Sequence, residues 1–597
     1  MTNVPPVNQR PPRRADVIMS PAAADEVSTS AEKRRRLPSR WDLLAALLAL
    51  GIVVFLAEAS RGITQPLADL ASSKLSLDPA NLPGYAARTT LRMLAAMALS
   101  LLFTVTYATW AAKSRRAATV LLPLLDILQS VPILGFLSVT VVFFMSLAPG
   151  RVLGAECAAV FAIFTSQAWN MAFSFYQSLR TVPVELTEAS RCFRLAPWMH
   201  FWRVEVPFAM PALVWNMMMS MSGGWFFVVA AEAISVGNTT ITLPGIGSYI
   251  ALAIGQRDLA AIGWAIGAML IVILVYDQLL FRPLVAWADR FRFEQQAADV
   301  APHSWVLTVL RQSGLVARLS ASMAAVWRRS YRVGPRPGAS TRRPVPDGEA
   351  RWPDRIWGAT VVILAALVLW LVTRFVLQGL TGSEVARTLG LGTVTMARVL
   401  VLIALASLIW VPVGVWVGMR PQMARIVQPI AQFLAAFPAN LFFPVAVSAI
   451  VAFGLNPDVW LSPLMILGTQ WYILFNVIAG ASALPSELRD IGTNLHVGGW
   501  LWWRRIALPG VFPFYVTGAI TASGGSWNAS IVAEVATWGG RRLEAHGLGA
   551  YIARATEAGD YHRIVLGIAV MSLFVVVINR ALWRPLYWRA ERKFRLG

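Results

Sequence analysis

Apolar runs long enough to cross a bilayer recur along almost the whole chain, and they decide which kind of fold is open to it. A helix needs roughly 20 apolar residues to cross about 30 Å of hydrocarbon. Runs of that kind fall near 42–59, 90–112, 126–148, 153–178, 208–232 and 260–281. A second set lies near 356–379, 396–418, 429–453, 461–481, 510–535 and 563–583, so each half holds six. At about 150 residues per domain the 597-residue length would otherwise suggest four soluble domains. With 57% hydrophobic residues and only 14% charged ones, no set of ordinary cores could hide the apolar surface. The expected fold is an all-α polytopic membrane protein of about 12 transmembrane helices.

The net charge of +21 does not indicate a nucleic-acid binder, because such a surface would not be interleaved with long apolar stretches. Lysine occurs only at Lys33, Lys74, Lys113 and Lys593, and none follows a glycine. The chain therefore lacks the Gly-Lys end of a phosphate-cradling loop and is not expected to bind ATP in that way itself. Cys157 and Cys192 lie in different segments, and the five histidines are scattered. Neither set has metal-ligand spacing. No catalytic residue and no metal site is expected.

Basic residues in short loops set the orientation. Lys33 and Arg34–Arg36 precede the first run, Lys113, Arg115 and Arg116 follow the second, and Arg180, Arg191, Arg194 and Arg203 follow the fourth. Arg282, Arg290 and Arg292 follow the sixth, and the middle linker is rich in arginine. These all share one side if both termini are cytoplasmic. An outer loop near 538–563 runs against the pattern with Arg541, Arg542, Arg554 and Arg563. Arg541 and Arg542 there would form either a positive vestibule that draws in anions or a plain solvated loop. The first run ends in Ala57-Glu58-Ala59, a small-x-small string, but its basic flank is far longer than a signal n-region. It is expected to be retained as a span, with a cleaved signal as the alternative.

The two halves repeat one another. At a constant shift of 302 residues Trp169 meets Trp471, Pro183 meets Pro485, Arg203 meets Arg505 and Trp225 meets Trp527. The same shift pairs Glu232 with Glu534, Gly245 with Gly547, Tyr249 with Tyr551 and Arg282-Pro283-Leu284 with Arg584-Pro585-Leu586. Nearer the start of each half the shift is 306, pairing Arg92 with Arg398, Pro123 with Pro429 and Pro132 with Pro438. An even number of spans per half makes the repeats parallel, with a pathway expected between them. The organisation reads as a disordered basic tail over 1–40, repeats over 41–292 and 355–597, and a cytoplasmic Arg/Pro-rich linker over 293–354. The early linker places Val309, Val316, Leu319, Met323 and Val326 on one helical face, with Arg311 and Arg318 opposite. That pattern suits an interfacial amphipathic helix or a solvated linker helix.

Between the fourth and fifth runs each half carries a polar segment, ELTEASRCFRLAPWMHFWRVEVPF and ELRDIGTNLHVGGWLWWRRIALPG. Both resemble the EAA loop of ABC importer permeases: Glu-Ala-Ala, three residues, Gly, nine residues, then Ile-x-Leu-Pro. Glu188, Ala189 and Ser190 open the first copy, after Glu185, and Pro207 closes it. Asp490, Ile491 and Gly492 open the second, after Glu487, and Pro509 closes it. Arg194 and His496 stand where the motif has glycine, and the second copy lacks Glu-Ala-Ala. PLLDILQSVPILGF, PIAQFLAAFPANLFF, VVAAEAI and IVAEVAT are similar to segments of nitrate, sulfonate and taurine permeases.

The resemblance implies two MetI-like permease domains fused in one chain of a bacterial plasma membrane importer. It implies two ABC ATPase subunits at the cytoplasmic face, which use the ATP, and a periplasmic or lipid-anchored solute-binding protein. Each loop would form a coupling helix seated on an ATPase. The implied cargo is a small anion such as nitrate, a sulfonate or bicarbonate. A secondary active transporter with six-plus-six parallel repeats is the alternative.

Ionisable residues within spans are costly and usually paired or functional. Arg92 and Arg398 start the second span of each half, and Glu232 and Glu534 end the fifth. The topology brings each arginine to the depth of a glutamate and predicts the pairs Arg92–Glu232 and Arg398–Glu534. A register-fixing ion pair and an anion-handling role are both open.

Overall fold

A computed structural model of the chain describes residues 40–60, 65–66, 75–236, 239–291, 304–314, 316–318, 320–322, 352–484, 492 and 494–594. Glu487, Asp490, nearly all of the 1–40 tail and most of the linker lie outside the described residues. Among those described, nine helices are long and apolar enough to cross a membrane, or eleven when each of two bent pairs counts as one span. Large apolar side chains line the outsides of these helices, among them Leu43, Leu47, Val362, Leu369 and Leu408, each more than half exposed. Such surface is stable against lipid rather than water, and the protein is an all-α polytopic membrane protein.

The first half runs through α1 (Arg40–Ala59), α2 (Leu82–Lys113), α3 (Arg115–Ser130), α4 (Ile133–Leu147), α5 (Val152–Arg180), α6 (Val184–Cys192) and α7 (Val206–Glu232). A hairpin of β1 (Ala233–Val236) and β2 (Thr239–Thr242) leads to α8 (Ile246–Gln256) and α9 (Leu259–Tyr276). In the linker, α10 spans Trp305–Gln312. The second half follows with α11 (Trp352–Gly379), α12 (Gly382–Gly418), α13 (Pro421–Ala436), α14 (Phe443–Phe453), α15 (Gln470–Ser482) and α16 (Leu508–Ala533). It ends with the hairpin β3 (Val535–Trp538) and β4 (Arg541–Glu544), then α17 (Leu548–Ala558), α18 (Tyr561–Ile578) and α19 (Arg584–Phe594).

The described residues form two compact units. One holds α1 up to Ile52 together with the described linker residues from Trp305 onward. The other holds the rest of both halves. Within it α5 packs against α2, α4 and α7. Ala155, Ala158, Ala159 and Ala162 are fully or almost fully buried on α5. Small residues let helix backbones approach closely where no hydrophobic effect drives association. Trp225 and Trp527 fill equivalent buried positions on α7 and α16.

The repeat extends to backbone irregularities. Phe201–Glu205 and Trp503–Ala507 each form a π-helical turn ahead of α7 and α16, and Asp277–Phe281 and Asn579–Trp583 do so after α9 and α18. In all four the residue closing the turn donates its N–H five residues back, as from Val206 to the Phe201 carbonyl. The next residue is always proline: Pro207, Pro283, Pro509 or Pro585. A proline lacks the N–H and its ring crowds the carbonyl four residues back. Widening the turn absorbs that conflict without breaking the helix.

Prolines also account for spans that are not single rods. The run near 126–148 is laid down as α3 and α4, broken ahead of Pro132, and its counterpart α13–α14 bends by 76° at Phe437-Pro438. The fourth span is one helix in the first half but in the second is broken, with a 43° bend between Pro457–Met465 and α15. Pro463 and Gly468 interrupt it, where the first half has Phe161 and Ser166. The two short hairpins are additions to the expected all-helical pattern, each at the far end of the fifth span.

Candidate functional site

Arg92 lies on α2 and is 3% exposed. Its Nε and Nη2 donate to Glu156 Oε2 and Oε1 at 2.6 and 2.7 Å, and its Nη1 donates to Glu232 Oε1 at 2.6 Å. Glu232, at the end of α7, also accepts from Thr89 Oγ1 and the Gly247 N–H, both at 2.7 Å. Thr89 Oγ1 in turn accepts from the Ile246 N–H at 3.1 Å. One guanidinium thus ties α2, α5 and α7 to the start of α8. Burying these charges is tolerable only because every one is paired and hydrogen-bonded.

The second half repeats the arrangement more loosely. Arg398 donates to Glu534 Oε1 at 3.3 Å and to Asp458 Oδ1 at 3.0 Å. Thr395 Oγ1 donates to Glu534 Oε1 at 2.8 Å and accepts from the Leu548 N–H at 2.9 Å. His546 caps Asp458, its N–H donating to Oδ1 at 2.6 Å and its ring Nδ1 3.0 Å from Oδ2. The equivalent of His546 in the first half is Pro244, which has no N–H. Glu156 and Asp458 join the expected arginine–glutamate pairs as second carboxylates that no motif announces. The 302-residue shift aligns those two acids with each other and was the signal that marks them.

Two glycines make room for each buried carboxylate. A Cβ on Gly245 or Gly547 would overlap the Glu232 or Glu534 carboxylate, and one on Gly247 would meet the Val229 backbone carbonyl. A backbone carbonyl cannot step aside as a side chain can. Gly247→Ala is expected to lower stability by about 1–3 kcal/mol. Thermal unfolding of the detergent-solubilised chain checks this.

Between the halves lies a cavity of about 220 Å³. Its walls come from the broken third spans (Gln129, Ile133, Phe437, Ala439), the fifth spans (Ser222, Gly223, Gly524, Asn528) and the fourth spans (Trp169, Asn170, Gly468, Tyr472). Each break is tied to the opposite half. The Ile133 N–H donates to Asn528 Oδ1 at 2.8 Å, and Asn440 Nδ2 donates to the Phe226 carbonyl at 3.1 Å. The Ser222 hydroxyl donates to the Ala435 carbonyl and lies 3.2 Å from the Tyr472 hydroxyl. No lining residue is charged. Non-helical backbone at membrane depth is tolerated where it lines such a cavity.

At the other end of the fifth spans lie the two polar loops. In the first, Glu185, Glu188 and Ala189 are exposed on α6. The helix ends with Arg194 in the left-handed region at φ 50°, its N–H donating to the Arg191 carbonyl and the Leu195 N–H to the Ser190 carbonyl. That pair of bonds is a Schellman ending. In the second loop His496 has φ 52° and the Val497 N–H donates to the Gly492 carbonyl at 2.8 Å. Both loops therefore make a left-handed turn with a non-glycine residue at the place where the EAA pattern has glycine, at a steric cost of roughly 1–2 kcal/mol each. Arg194→Gly and His496→Gly are each expected to raise stability by up to about 1 kcal/mol, since glycine also loosens the unfolded chain. An increased unfolding midpoint would show it.

A large apolar pair is exposed on the two sides of each turn: Phe193 (78%) before it and Trp198 after it in the first loop, Leu495 (69%) and Trp500 in the second. The pairs occupy equivalent positions. Pro207 and Pro509 close the loops at the first turns of α7 and α16. The first loop has an added tie: the Lys113 ammonium bonds Glu205 Oε1, which also lies 3.2 Å from His200 Nε2. Met419, Ala507 and Trp502 stand at the equivalent places in the second half.

Three of the four arginines near 538–563 have acidic neighbours. Arg542 donates to Glu544 Oε1 at 2.5 Å and to Glu557, Arg554 lies 3.7 Å from Glu544, and Arg563 lies 3.4 Å from Glu384. Partial burial works against the Arg542 charge, but Glu557 and Glu544 outweigh it and hold the guanidinium above its ordinary range. Local pairing accounts for an arginine-rich segment at the end of the fifth span opposite the polar loops.

The model of one protein family, the binding-protein-dependent transport system inner membrane component, matches residues 104–284 and again 410–582. The chain belongs to that family. The two matches are successive copies within one chain, and each includes a polar loop and its fifth span. The bicarbonate transport system permease protein CmpB of Synechococcus elongatus is 26% identical over 186 residues, 31% of this chain and 64% of its own. The nitrate import permease protein NrtB of Leptolyngbya laminosa is 24% identical over 185 residues, 31% and 63% of the two chains. The glycine betaine/proline betaine transport system permease protein ProW of Escherichia coli is 30% identical over 168 residues, 28% and 43%. The chain thus matches less than two thirds of the length of each of these permeases.

Proposed function

We propose that this chain is the permease of an ATP-driven importer for a small anion, with both membrane domains, 41–292 and 355–597, in one polypeptide. The pair of equivalent loops carries this reading. Each offers a short helical turn, an exposed apolar pair and a direct covalent path through a π-helical turn into a fifth span that lines the cavity. Separate ATPase subunits seated on the two loops would move α7 and α16 as ATP is bound and hydrolysed, opening the cavity to one side and then the other. Glu185, Glu188, Ala189, Arg194 and Pro207, with Glu487, Asp490, Gly492, His496 and Pro509, are assigned to this coupling. The Arg92–Glu232 and Arg398–Glu534 groups are assigned to holding helix register, because each guanidinium is already spent on two carboxylates.

The cargo class rests on the bicarbonate and nitrate permeases among the relatives. The cavity suits it in one respect: the side-chain amides of Asn170 and Asn528 supply N–H donors without a fixed cation, while the Ser166 and Thr521 hydroxyls donate back to their own helices. Weak binding of that kind allows release as well as entry. A second reading is a quaternary-ammonium zwitterion, favoured by the aromatic walls at Trp169, Phe226, Phe437 and Tyr472 and by the betaine permease among the relatives. Aromatic faces attract such cations. A solute-binding protein at the face opposite the loops would deliver the cargo, and both termini would be cytoplasmic, in the plasma membrane of a bacterium.

The test is uptake into proteoliposomes holding the chain, its ATPase and its binding protein, with labelled nitrate, bicarbonate, taurine and glycine betaine in competition. ATP-dependent uptake of an anion, insensitive to an uncoupler, is expected. Preferential uptake of betaine would replace the cargo class. Uptake that survives removal of the ATPase and collapses with an uncoupler would replace the mechanism with secondary transport.

A further inference from the structure

The linker helix carries a feature that transport does not use. On α10, Val306, Val309 and the following Ser313 form a buried stripe, flanked by Trp305 at 49% and Leu310 at 37% exposure. Arg311 and Gln312 are exposed away from it. Ser313 Oγ donates to Asp42 Oδ1 at 2.7 Å, and both residues are buried. Asp42 stands in the first turn of α1, whose Leu43, Leu47 and Leu50 are each more than half exposed. The lipid-facing surface of α1 therefore begins within a turn of the residue that holds α10. This bond fixes the helix at the level where α1 enters the bilayer.

Charge points the same way. From Ser304 to Pro346 the sequence has eight arginines and no acidic residue. A helix whose valine stripe is already covered, with Trp305 and Leu310 part-exposed at its margin, tied to the start of α1 and followed by arginines with no acid among them, matches an anionic lipid surface. We propose that the linker helix beginning at Trp305 lies on the membrane leaflet where α1 starts and binds anionic phospholipid headgroups, holding the first span in place. This rests on the membrane-spanning reading of α1 and not on the transport reading.

The experiment uses the full chain with Cys157 and Cys192 replaced by serine and a fluorophore on Leu310→Cys. It is reconstituted in phosphatidylcholine alone or mixed with phosphatidylglycerol, each containing lipid brominated near the headgroup. Strong quenching in the mixed membrane, weaker quenching without phosphatidylglycerol, and a loss of partitioning on Arg311→Glu of about fivefold or more are expected, one cation near such a surface being worth about that factor. Adding Arg318→Glu should weaken it further. Absence of quenching in both membranes would overturn the proposal in favour of a solvated helix or a soluble acidic partner. Equal quenching in both, unmoved by charge reversal, would overturn the anionic-lipid assignment. In either case unchanged ATP-driven uptake would leave the transport reading standing.

Discussion

Replacing Arg92 by alanine is expected to cost about 3–5 kcal/mol and to leave little folded protein in the membrane. Breaking a buried ion pair from one side is far more costly than never having built it, because the remaining charge is stranded. Here two carboxylates, Glu156 and Glu232, would lose their shared cation at once. Arg92→Lys is expected to rescue poorly, since a single ammonium cannot reproduce the two-pronged contact with Glu156 while also reaching Glu232. Arg398→Ala should be milder, about 1.5–3 kcal/mol. Its Glu534 contact is longer and Asp458 is 38% exposed, so that acid keeps water and the His546 N–H as partners. The measurement is the fraction of monodisperse protein recovered in detergent, with its unfolding midpoint, for each variant beside the wild type. Equal losses for Arg92→Ala and Arg398→Ala would contradict the inequality of the two nodes.

The second large effect is expected at the polar loops. Phe193→Ala and Glu188→Lys should each leave the fold intact, because both side chains are exposed, and yet uncouple transport. Charge reversal at a docked acidic residue typically costs 2–5 kcal/mol of interface energy, about 30-fold or more in affinity. An exposed aromatic anchor such as Phe193 falls in the range above 1 kcal/mol typical of interface hot spots. Co-purification of the ATPase with the tagged chain, and ATP hydrolysis stimulated by loaded binding protein, would read both losses. Leu495→Ala in the second loop offers the comparison. A much smaller loss there would mean that the first loop carries most of the coupling, and equal losses would mean that both loops share it. Normal ATPase recovery with every variant would remove the loops from the coupling role.

Much of this architecture was legible because the chain states it twice. Long apolar runs gave the spans, and the 302-residue shift related halves that differ at most positions. The third spans read as unbroken runs near 126–148 and 429–453, and the breaks at Pro132 and Pro438 come from the structure, since no rule of composition says that such breaks face one another across a cavity. Other parts had no local signal. Glu156 sits inside an apolar run and stands out only beside Asp458. The hairpins at 233–242 and 535–544 are too short to show an alternating pattern of their own. Pro463 and Gly468 split one fourth span and leave the other whole, a difference that matters only because of what packs around it. The left-handed turns at Arg194 and His496 were hidden by the absence of glycine, the residue that usually announces them.

The tie between Lys113, Glu205 and His200, present in one loop and replaced by Met419, Ala507 and Trp502 in the other, has an evolutionary meaning. In a symmetric dimer of separate permeases, each substitution appears on both sides of the axis and must be tolerated twice. A gene that encodes both copies escapes that condition. One side can stiffen while the other loosens, one buried arginine can be gripped tightly and its twin left partly wet, and selection can act on the difference between them. The halves of this chain have used that freedom. A hybrid built from two first halves or two second halves would keep every span and lose the structural asymmetry.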